Sequence, residues 1–418
     1  MSNRRRVVIT GLGAITPVGN DVESMWTALL AGQSGAAQIT RFDTTGFSTT
    51  IACEVKDFDA NDFLDKKSAR RYDLFAQFGV VAAQQAMAHA GLEGSPDGVI
   101  PEKFGVIFGS GIGGISTMEA QHDILRERGP RWVSPFFIPM FIPDIAAGLI
   151  SIRFGAKGPN YATVSACASS AHAIGDAFRF IERGDADVMI AGGAEATLTP
   201  LAVAGFASMR ALSSRNEDPE GASRPFDAGR DGFVIGEGAG CVVIEALDTA
   251  QARDATIVAE IVGYGVSADA YHITMPAPEG VGAQVAMRLA MEDRALRPED
   301  IDYINAHGTS TPANDRNETA AIKQVLGDAA TSVVVGSTKS MTGHLLGAAG
   351  GVEAIVSALV CQQARIPPTI NYSEPDPDCD LDYAQHGVVE REVRVALSNS
   401  FGFGGHNACL AIRAWTGQ

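Results

Sequence analysis

The chain has 418 residues, of which 46% are hydrophobic, and this length supplies enough apolar surface for one large core or two fused cores. Its formal net charge of −17 excludes a nucleic-acid-binding protein as a class, because such binding needs a basic surface. The six cysteines are scattered, without CxxC pairs or metal-ligand spacing, which predicts reduced thiols in a cytoplasm.

Strands and helices alternate along the chain. The apolar run 7–15 comes directly after three arginines and is too short for a signal peptide, so it predicts a first strand. The glycine cluster 111–114 follows a strand but matches no nucleotide-binding motif. Further strands are predicted at 104–109, 187–191, 257–263, 303–306 and 333–336, a turn at 192–195, glycine-rich hairpins at 233–246 and 393–413, and helices at 22–31, 59–90, 282–292 and 345–359.

The most apolar segment covers residues 136–152. Pro139, Pro143 and Asp144 interrupt it and make it a poor membrane span. A buried helix, a pocket wall or a subunit interface suits this composition.

Cys167 lies in a turn of small residues between a predicted strand and a helix. Apolar residues recur at helical spacing after it, and Gly184 ends the run. The free N–H groups at a helix start favour a thiolate and can hold an oxyanion. A buried structural thiol is the alternative that this stretch alone leaves open.

The two halves of the chain resemble each other. Lys339, 172 residues after Cys167, also lies where a strand turns into a helix, and Cys409 in the second hairpin lies 168 residues after Cys241 in the first. Such spacing predicts an internal duplication of α/β units, with ligand sites at the carboxyl ends of the strands. Cys167, His307, Lys339 and His344 all follow a predicted strand end.

A cysteine with two histidines suits covalent acyl chemistry, in which the thiolate attacks a thioester and backbone N–H groups hold the oxyanion. A cysteine protease or a zinc site formed by Cys167, His307 and His344 remains an alternative at this point. His172 is expected to face away from the site and to be structural.

Four segments of the chain resemble motifs of the β-ketoacyl-acyl carrier protein synthases. They are Ser165-Ala166-Cys167, the run from Asn305 to Thr311, the run from Lys339 to His344, and the run from Asn399 to Gly405. The likeness is greatest to the synthase I/II group of the thiolase superfamily, and Ile112 favours type II. Four motifs in the same order over nearly the whole chain make a specific match.

The resemblance implies an α/β, thiolase-like fold, in which two duplicated α/β halves form α-β-α-β-α layers. The N-terminal half at 1–255 would carry the nucleophile and the C-terminal half at 256–418 the histidines. The implied activity is an acyltransferase that condenses an acyl group, held on cysteine, with malonyl-acyl carrier protein to give 3-oxoacyl-acyl carrier protein and CO₂ in fatty acid elongation. Acyl carrier protein and a second copy of the chain are the implied partners, with no membrane and no cofactor beyond the carrier's phosphopantetheine.

The resemblance also assigns roles to single residues. Backbone N–H groups of Cys167 and Phe401 would form the oxyanion hole, Phe401 would gate the acyl pocket, and Glu353 would pair with Lys339. The implied catalytic residues are Cys167, His307, His344, Lys339 and Phe401. The implied substrate-binding residues are Thr309 and Thr311 for the phosphopantetheine arm and Ile112, Phe137 and Phe403 for the acyl pocket.

Two further sets of residues are implied. A basic run would dock the acidic carrier although the whole chain is acidic; its members are Lys66, Lys67, Arg70 and Arg71, and Arg210 matches a further contact. No catalytic metal is expected, but four residues match positions that hold a monovalent cation in some members: Asn305, Glu353, Ser398 and Asn399. His406 stands where many members have Thr, which bears on the behaviour of the gating loop.

A ketosynthase of a polyketide or other secondary-metabolite pathway is the main alternative, because its chemistry is the same. A catalytically inactive chain-length factor is a further alternative, against which the intact Cys167, His307, His344 and Lys339 argue. Thiolases need a second reactive cysteine, whereas Cys409 lies within an apolar strand pattern.

Overall fold

The computed structural model describes residues 4–417. Its strands are β1 (Val7–Ile15), β2 (Ala37–Gln38), β3 (Ile51–Ala52), β4 (Phe104–Gly109), β5 (Asn160–Tyr161), β6 (Val188–Glu195), β7 (Gly238–Ala246), β8 (Ala259–Ala268), β9 (Tyr303–Asn305), β10 (Val334–Gly336), β11 (Arg365–Ile366), β12 (Val389–Glu390), β13 (Val395–Gly402) and β14 (His406–Ala414). Its α-helices are α1 (Val22–Leu30), α2 (Lys66–Arg71), α3 (Leu74–His89), α4 (Ile115–Arg128), α5 (Phe137–Phe141), α6 (Ile145–Phe154), α7 (Ser169–Arg183), α8 (Pro200–Ser208), α9 (Leu247–Ala252), α10 (Val281–Glu292), α11 (Pro312–Leu326), α12 (Lys339–Thr342) and α13 (Ala349–Gln363). Short 3₁₀ turns, Ala166–Ala168 and Leu346–Ala348, directly precede α7 and α13.

One sheet runs through both halves of the described chain, in the strand order β10-β9-β13-β14-β8-β1-β7-β6-β4-β5. This order is mirrored about the contact between β8 and β1. Each half has the same pattern, because β4 is parallel to β5 and β6 as β9 is parallel to β10 and β13. Strands β7 and β14 are antiparallel to their neighbours. The mirrored order bears out the predicted duplication of α/β units.

Helices lie in three layers around this sheet. α7 and α13 pack against each other and against strands of both halves, so they form the central layer. α3 covers β1 and β7 on one outer face, and α10 covers β8 and β14 on the other. The stretch Leu346–Gln363 is long and apolar enough to cross a membrane by length and composition, but 89% of it is buried inside the molecule, as expected for a core helix.

The structural repeat pairs the Cys167 turn with a different segment of the second half from the Lys339 segment that the sequence spacing suggested. Ala166 and Leu346 occupy the same place before the central helices, and both adopt a positive φ, 50° and 48°. They are 180 residues apart, so the nucleophile turn matches Leu346–Ala348 and not the Lys339 segment. The spacing of 168 is confirmed, since Cys241 and Cys409 lie opposite Gly13 and Gly265 in equivalent strands.

Two predicted elements differ in the structure: one predicted helix is divided into shorter helices, and one predicted hairpin is replaced by a single strand. Residues 59–90 do not form one helix, because Asp65 and Asp73 each cap a new helix and Tyr72 between these helices is extended. Residues 233–246 do not form a hairpin, because Gly238–Ala246 is a single strand between β1 and β6. The strand before Cys167 is only the two residues of β5.

Glycines that suggested turns instead mark close contacts between layers. A Cβ atom on Gly240 would lie 2.3 Å from the backbone nitrogen of Val352 in α13. A Cβ atom on Gly193 would lie 2.7 Å from the side chain of Ser170 in α7, and the predicted turn 192–195 therefore continues β6. The central helices can approach the sheet this closely only where side chains are missing.

Candidate active site

Cys167 lies in the 3₁₀ turn that opens α7 and is 7% exposed. The turn is held by Ser169, whose hydroxyl donates to the carbonyl of Ala166 at 2.7 Å and accepts from the backbone nitrogen of Ser165 at 3.0 Å. Ala166 has a left-handed backbone, which is uncommon for a residue with a side chain and is typical of functional turns.

Both predicted histidines meet this cysteine. The Nε2 atom of His344 lies 3.0 Å from the Cys167 sulfur. The rings of His307 and His344 are 5.3 Å apart between centroids and nearly perpendicular. One ring nitrogen of each histidine and the sulfur lie within 4.8 Å of one another. Residues separated by up to 177 positions thus form one compact cluster.

Burial keeps these groups neutral. It lowers the pKa of His307 and of His344 well below 6.5, and the nearby Lys339 ammonium acts in the same direction. Burial raises the pKa of the Cys167 thiol to about 12, against the opposite influence of Lys339. The expected thiolate is therefore not the resting form. Since the folded-state pKa of each histidine is depressed, its contribution to stability is present above pH 6.5 and is lost as the pH falls through that folded-state value.

Lys339 and Glu353 form a buried ion pair beside the cluster, and they are 1% and 3% exposed. The backbone carbonyl of Lys339 accepts a hydrogen bond from Ser223 at 2.6 Å, which fixes the start of α12. A buried charge is costly without a partner, so Glu353 stabilises the charged Lys339 ammonium, which remains as a fixed positive charge near the sulfur. The expected pairing with Glu353 is present in the structure.

A cavity of about 300 Å³ opens above the cluster. Thr309 and Thr311 line it and hydrogen-bond to each other at 2.9 Å, and Arg210 and Met209 also contribute to its wall. Apolar walls with a few convergent polar groups are typical of ligand sites. The cavity leads to Cys167, His307, His344, Phe401 and Phe403.

The glycine-rich loop brings both Phe401 and Phe403 to the cavity beside the sulfur. The backbone of Phe403 lowers the pKa of the Cys167 thiol, against the larger effect of burial. Phe401 lies within β13, paired with Asn407, and its ring is 5.7 Å from that of His307. That the N–H of Phe401 helps to form the oxyanion hole stays a prediction; in the structure Phe401 belongs to β13, which continues through Gly402.

The remaining predicted residues are divided between the site and the surface. Ile112 packs in the same apolar cluster as Cys167, whereas Phe137 lies on α5, stacks on Phe141 at 5.8 Å and does not line the cavity. Arg71 stacks on Phe136, with its guanidinium 4.1 Å from the ring centroid. Lys66, Lys67, Arg70 and Arg71 are exposed on α2.

The residues expected to hold a cation are all buried. Asn399 Oδ1 and Glu353 Oε2 have no hydrogen-bond partner among the described residues. Oxygen atoms of this kind fit a hard cation.

Sequence analysis missed Glu318, whose carboxylate accepts from the backbone nitrogens of His307 and Gly308, both at 2.8 Å. Burial raises the pKa of Glu318 to about 7. The sequence feature that could have identified Glu318 is a charged residue on the buried face of α11.

Zinc is a poor fit to the cluster of Cys167, His307 and His344. The Lys339 ammonium shifts the pKa of all three groups, so it lies near enough to repel a divalent cation. The glycine cluster after β4 is no phosphate site either, since the backbone nitrogens of Gly111 and Ile112 both donate to Glu195.

Comparison with known proteins agrees with this geometry. Residues 4–250 match the family model for the beta-ketoacyl synthase N-terminal domain, and residues 258–373 match that for its C-terminal domain. The "3-oxoacyl-[acyl-carrier-protein] synthase 2" of Staphylococcus aureus (strain COL) is 54% identical over 413 residues, covering 99% of both chains. The protein of the same name from Synechocystis sp. is 54% identical over 416 residues, again covering 99% of both.

A solved structure has the same fold. It is a ketosynthase of a type II polyketide synthase in complex with its acyl-carrier protein, with a TM-score of 0.91 and 35% identity, covering 99% of this chain and 100% of that one. The fold is thus the thiolase-like α/β fold of the condensing enzymes. The chain belongs to the β-ketoacyl synthase family, and it is a condensing acyltransferase.

Alkylation of Cys167 tests its protonation state. Because burial raises its pKa to about 12, we expect the iodoacetamide rate at Cys167, followed by peptide mass spectrometry, to rise about tenfold per pH unit from about pH 7 to about pH 9. A plateau within that interval would contradict the structure, because it would mean that the thiol is already ionised.

Proposed function

We propose that this condensing enzyme joins an acyl group carried on Cys167 to malonyl-acyl carrier protein, releasing CO₂ and 3-oxoacyl-acyl carrier protein. The observation that carries the proposal is the 3.0 Å contact between the Cys167 sulfur and His344, with His307 beside it in one cavity. The names of the 54% identical relatives support fatty acid elongation as its setting.

Acyl transfer is the first step. The Cys167 sulfur attacks the thioester carbonyl of the acyl carrier, and the thiol proton passes to the leaving carrier thiol, with His344 in place to relay it. The backbone N–H groups of Cys167 and Phe403 would hold the oxyanion, a role that falls to Phe403 because its backbone lowers the pKa of the thiol.

Condensation follows on the same residues. Neutral His307 and His344 donate hydrogen bonds to the malonyl thioester carbonyl, so that the bond to the carboxylate breaks, CO₂ leaves and an enolate remains. The enolate carbon attacks the acyl carbonyl on Cys167 and the carbon–sulfur bond breaks, and the leaving thiolate takes up a proton from solvent, with His344 in place to relay it. Neutral imidazoles can donate to a developing enolate oxygen, and their lowered pKa values suit this role.

The carrier would dock on α2 and extend its phosphopantetheine arm past Thr309 and Thr311. The solved relative is described as a ketosynthase in complex with its acyl-carrier protein, which supports an interaction of this kind. The basic side chains of α2 are exposed and available for an acidic partner, and Arg210 lines the cavity mouth. Phe401 is proposed to respond to the acyl chain, since its ring packs near His307.

A homodimer is part of the proposal. Several apolar side chains between residues 132 and 164 are exposed in the single chain: Trp132, Phe136, Ile138, Ile152 and Val164. Strand β5, in the same segment, is an uncovered edge of the sheet, which a second copy can extend.

A monovalent cation near Asn305, Glu353, Ser398 and Asn399 would hold these buried oxygens in place.

We also propose a cytoplasmic location, which fits six free and buried thiols. The solved polyketide ketosynthase favours one alternative, an identical reaction in a secondary-metabolite pathway, although its 35% identity is lower than that of the fatty acid synthases.

Acylation of Cys167 tests the proposed function directly. After incubation with acyl-acyl carrier proteins of graded chain length, mass spectrometry should find the acyl group on Cys167 and on no other thiol. Cys167→Ala should lose condensation, while Cys409→Ala, which removes a buried thiol from β14, should keep it. Condensation at the normal rate by Cys167→Ala would show that the assignment is wrong.

Charge reversal on α2 tests the docking surface. We expect Lys67→Glu and Arg70→Glu to raise the KM for carrier-linked substrate by about tenfold at low salt and to leave kcat nearly unchanged, since exposed charges act mainly on encounter. Arg288→Glu on α10, an exposed arginine bonded to Gln284, is the control. An equal KM for all variants would rule out α2 as the docking helix.

Light scattering tests the dimer. Ile152 is 81% exposed in the single chain, so Ile152→Asp should shift a dimer toward monomer at micromolar concentration, because it places a charge in an apolar interface. Ile100→Asp alters a residue that is 59% exposed outside the segment and should leave the dimer intact. A wild-type monomer at that concentration would refute the proposal.

A further inference from the structure

His172 contacts the nucleophile turn, although it lies outside the reaction cluster as the sequence predicts. It lies five residues after Cys167 on α7, and its Nδ1 atom is 2.6 Å from the hydroxyl of Ser165. Ser165 begins the turn that presents Cys167. The imidazole therefore holds the turn from outside the reaction cluster and does not contact the sulfur itself.

The same ring is tied to the glycine-rich loop. The backbone of Asn407, in β14 directly after the loop that carries Phe403, acts on this ring as a hydrogen-bond acceptor and raises its pKa. The ring of Tyr264 packs against it at 6.4 Å between centroids and 74° between planes. The Tyr264 hydroxyl donates a hydrogen bond to Asp176 at 3.2 Å, and this bond holds the Tyr264 ring in place against the imidazole.

The two segments that His172 joins are in direct backbone contact. A Cβ atom on Gly402 would lie 2.7 Å from the carbonyl oxygen of Ser165 and 3.1 Å from the backbone nitrogen of Cys167. A shift of either segment must therefore move the other. One of them supplies the N–H of Cys167 and the other supplies the N–H of Phe403.

We propose that His172 is a positioning residue for acyl transfer, which links Ser165 to Asn407 and so fixes the distance between the N–H groups of the two segments. The inference rests on the proposed function, because the two N–H groups matter only if they hold a thioester oxygen. His172 acts through the backbone and exchanges no proton with the substrate.

The charge state of the ring suits this role. Burial lowers the pKa of His172, Asp176 and the Asn407 backbone act in the opposite direction, and His406 lowers it further. A neutral ring has one accepting and one donating nitrogen. It can therefore accept from the Ser165 hydroxyl at Nδ1 and donate to the Asn407 carbonyl at the same time.

Single-turnover acylation of Cys167, followed by mass spectrometry, tests the proposal. We expect His172→Ala to lower the limiting acylation rate about tenfold or more with little change in the half-saturating concentration, since small misplacements near the reacting atoms are costly. His172→Asn should recover part of the rate, because its side-chain oxygen can replace Nδ1 toward Ser165. Combining Ser165→Ala with His172→Ala should slow acylation no further than the slower single variant, as expected for residues that act through one contact.

His89→Gln is the matched control. His89 is exposed, but its Nδ1 also takes part in a hydrogen bond, accepting from the Leu12 backbone at 3.0 Å, and it lies on α3 on the far side of the sheet. If His172→Ala acylates Cys167 at the wild-type rate per folded enzyme, or if His89→Gln slows acylation equally, His172 is not a positioning residue. If the wild-type enzyme forms no acyl-Cys167, the proposed function itself fails, which is a separate result.

Discussion

The carboxylate of Glu195 joins the two halves of the molecule beside the nucleophile. It lies at the end of β6 and accepts from the backbone nitrogens of Gly111 at 2.8 Å and Gly347 at 3.0 Å, one from each half. Burial raises the pKa of this carboxyl group, and the hydrogen bonds from Gly111, Ser110, Gly347 and Ile112 oppose that effect. The contact is possible only because Gly347 has no side chain, since a Cβ atom there would lie 2.6 Å from the carboxylate. The positions of Leu346 and the Cys167 turn depend on it.

The chemistry of the site follows from the burial of its ionisable groups away from water. Cys167, His307 and His344 are neutral because burial penalises their charged forms, and Lys339 is balanced by Glu353. A site of this kind holds no ready-made thiolate. It supplies instead fixed donors, the two imidazoles and the backbone N–H groups, where negative charge develops during the reaction, and such donors act strongly where water is excluded.

Sequence patterns predicted the cluster well because each member follows a strand, and strand ends meet at one edge of the sheet. They failed where contacts between distant segments decide the structure. The length of β13, set by its pairing with β14, places Phe401 within the strand and Phe403 in the loop after it. The orientation of His172 depends on Tyr264 and Asn407, which are far away in sequence. Glycines at 192–195 and 233–240 looked like turns, although they mark backbone contacts that only the packed layers reveal.

The central place of β1 has a consequence for biosynthesis. This strand leaves the ribosome before its partners, since Val7 pairs with Ala246 in β7 and with Ile261 in β8. At about 5–20 residues per second, its partners emerge many seconds later. An apolar strand must therefore stay unpaired while most of the N-terminal half is made, and such high contact order slows folding. Two duplicated halves that share their innermost strands cannot complete their folding independently, and a newly made chain stays vulnerable to aggregation until β8 has been made.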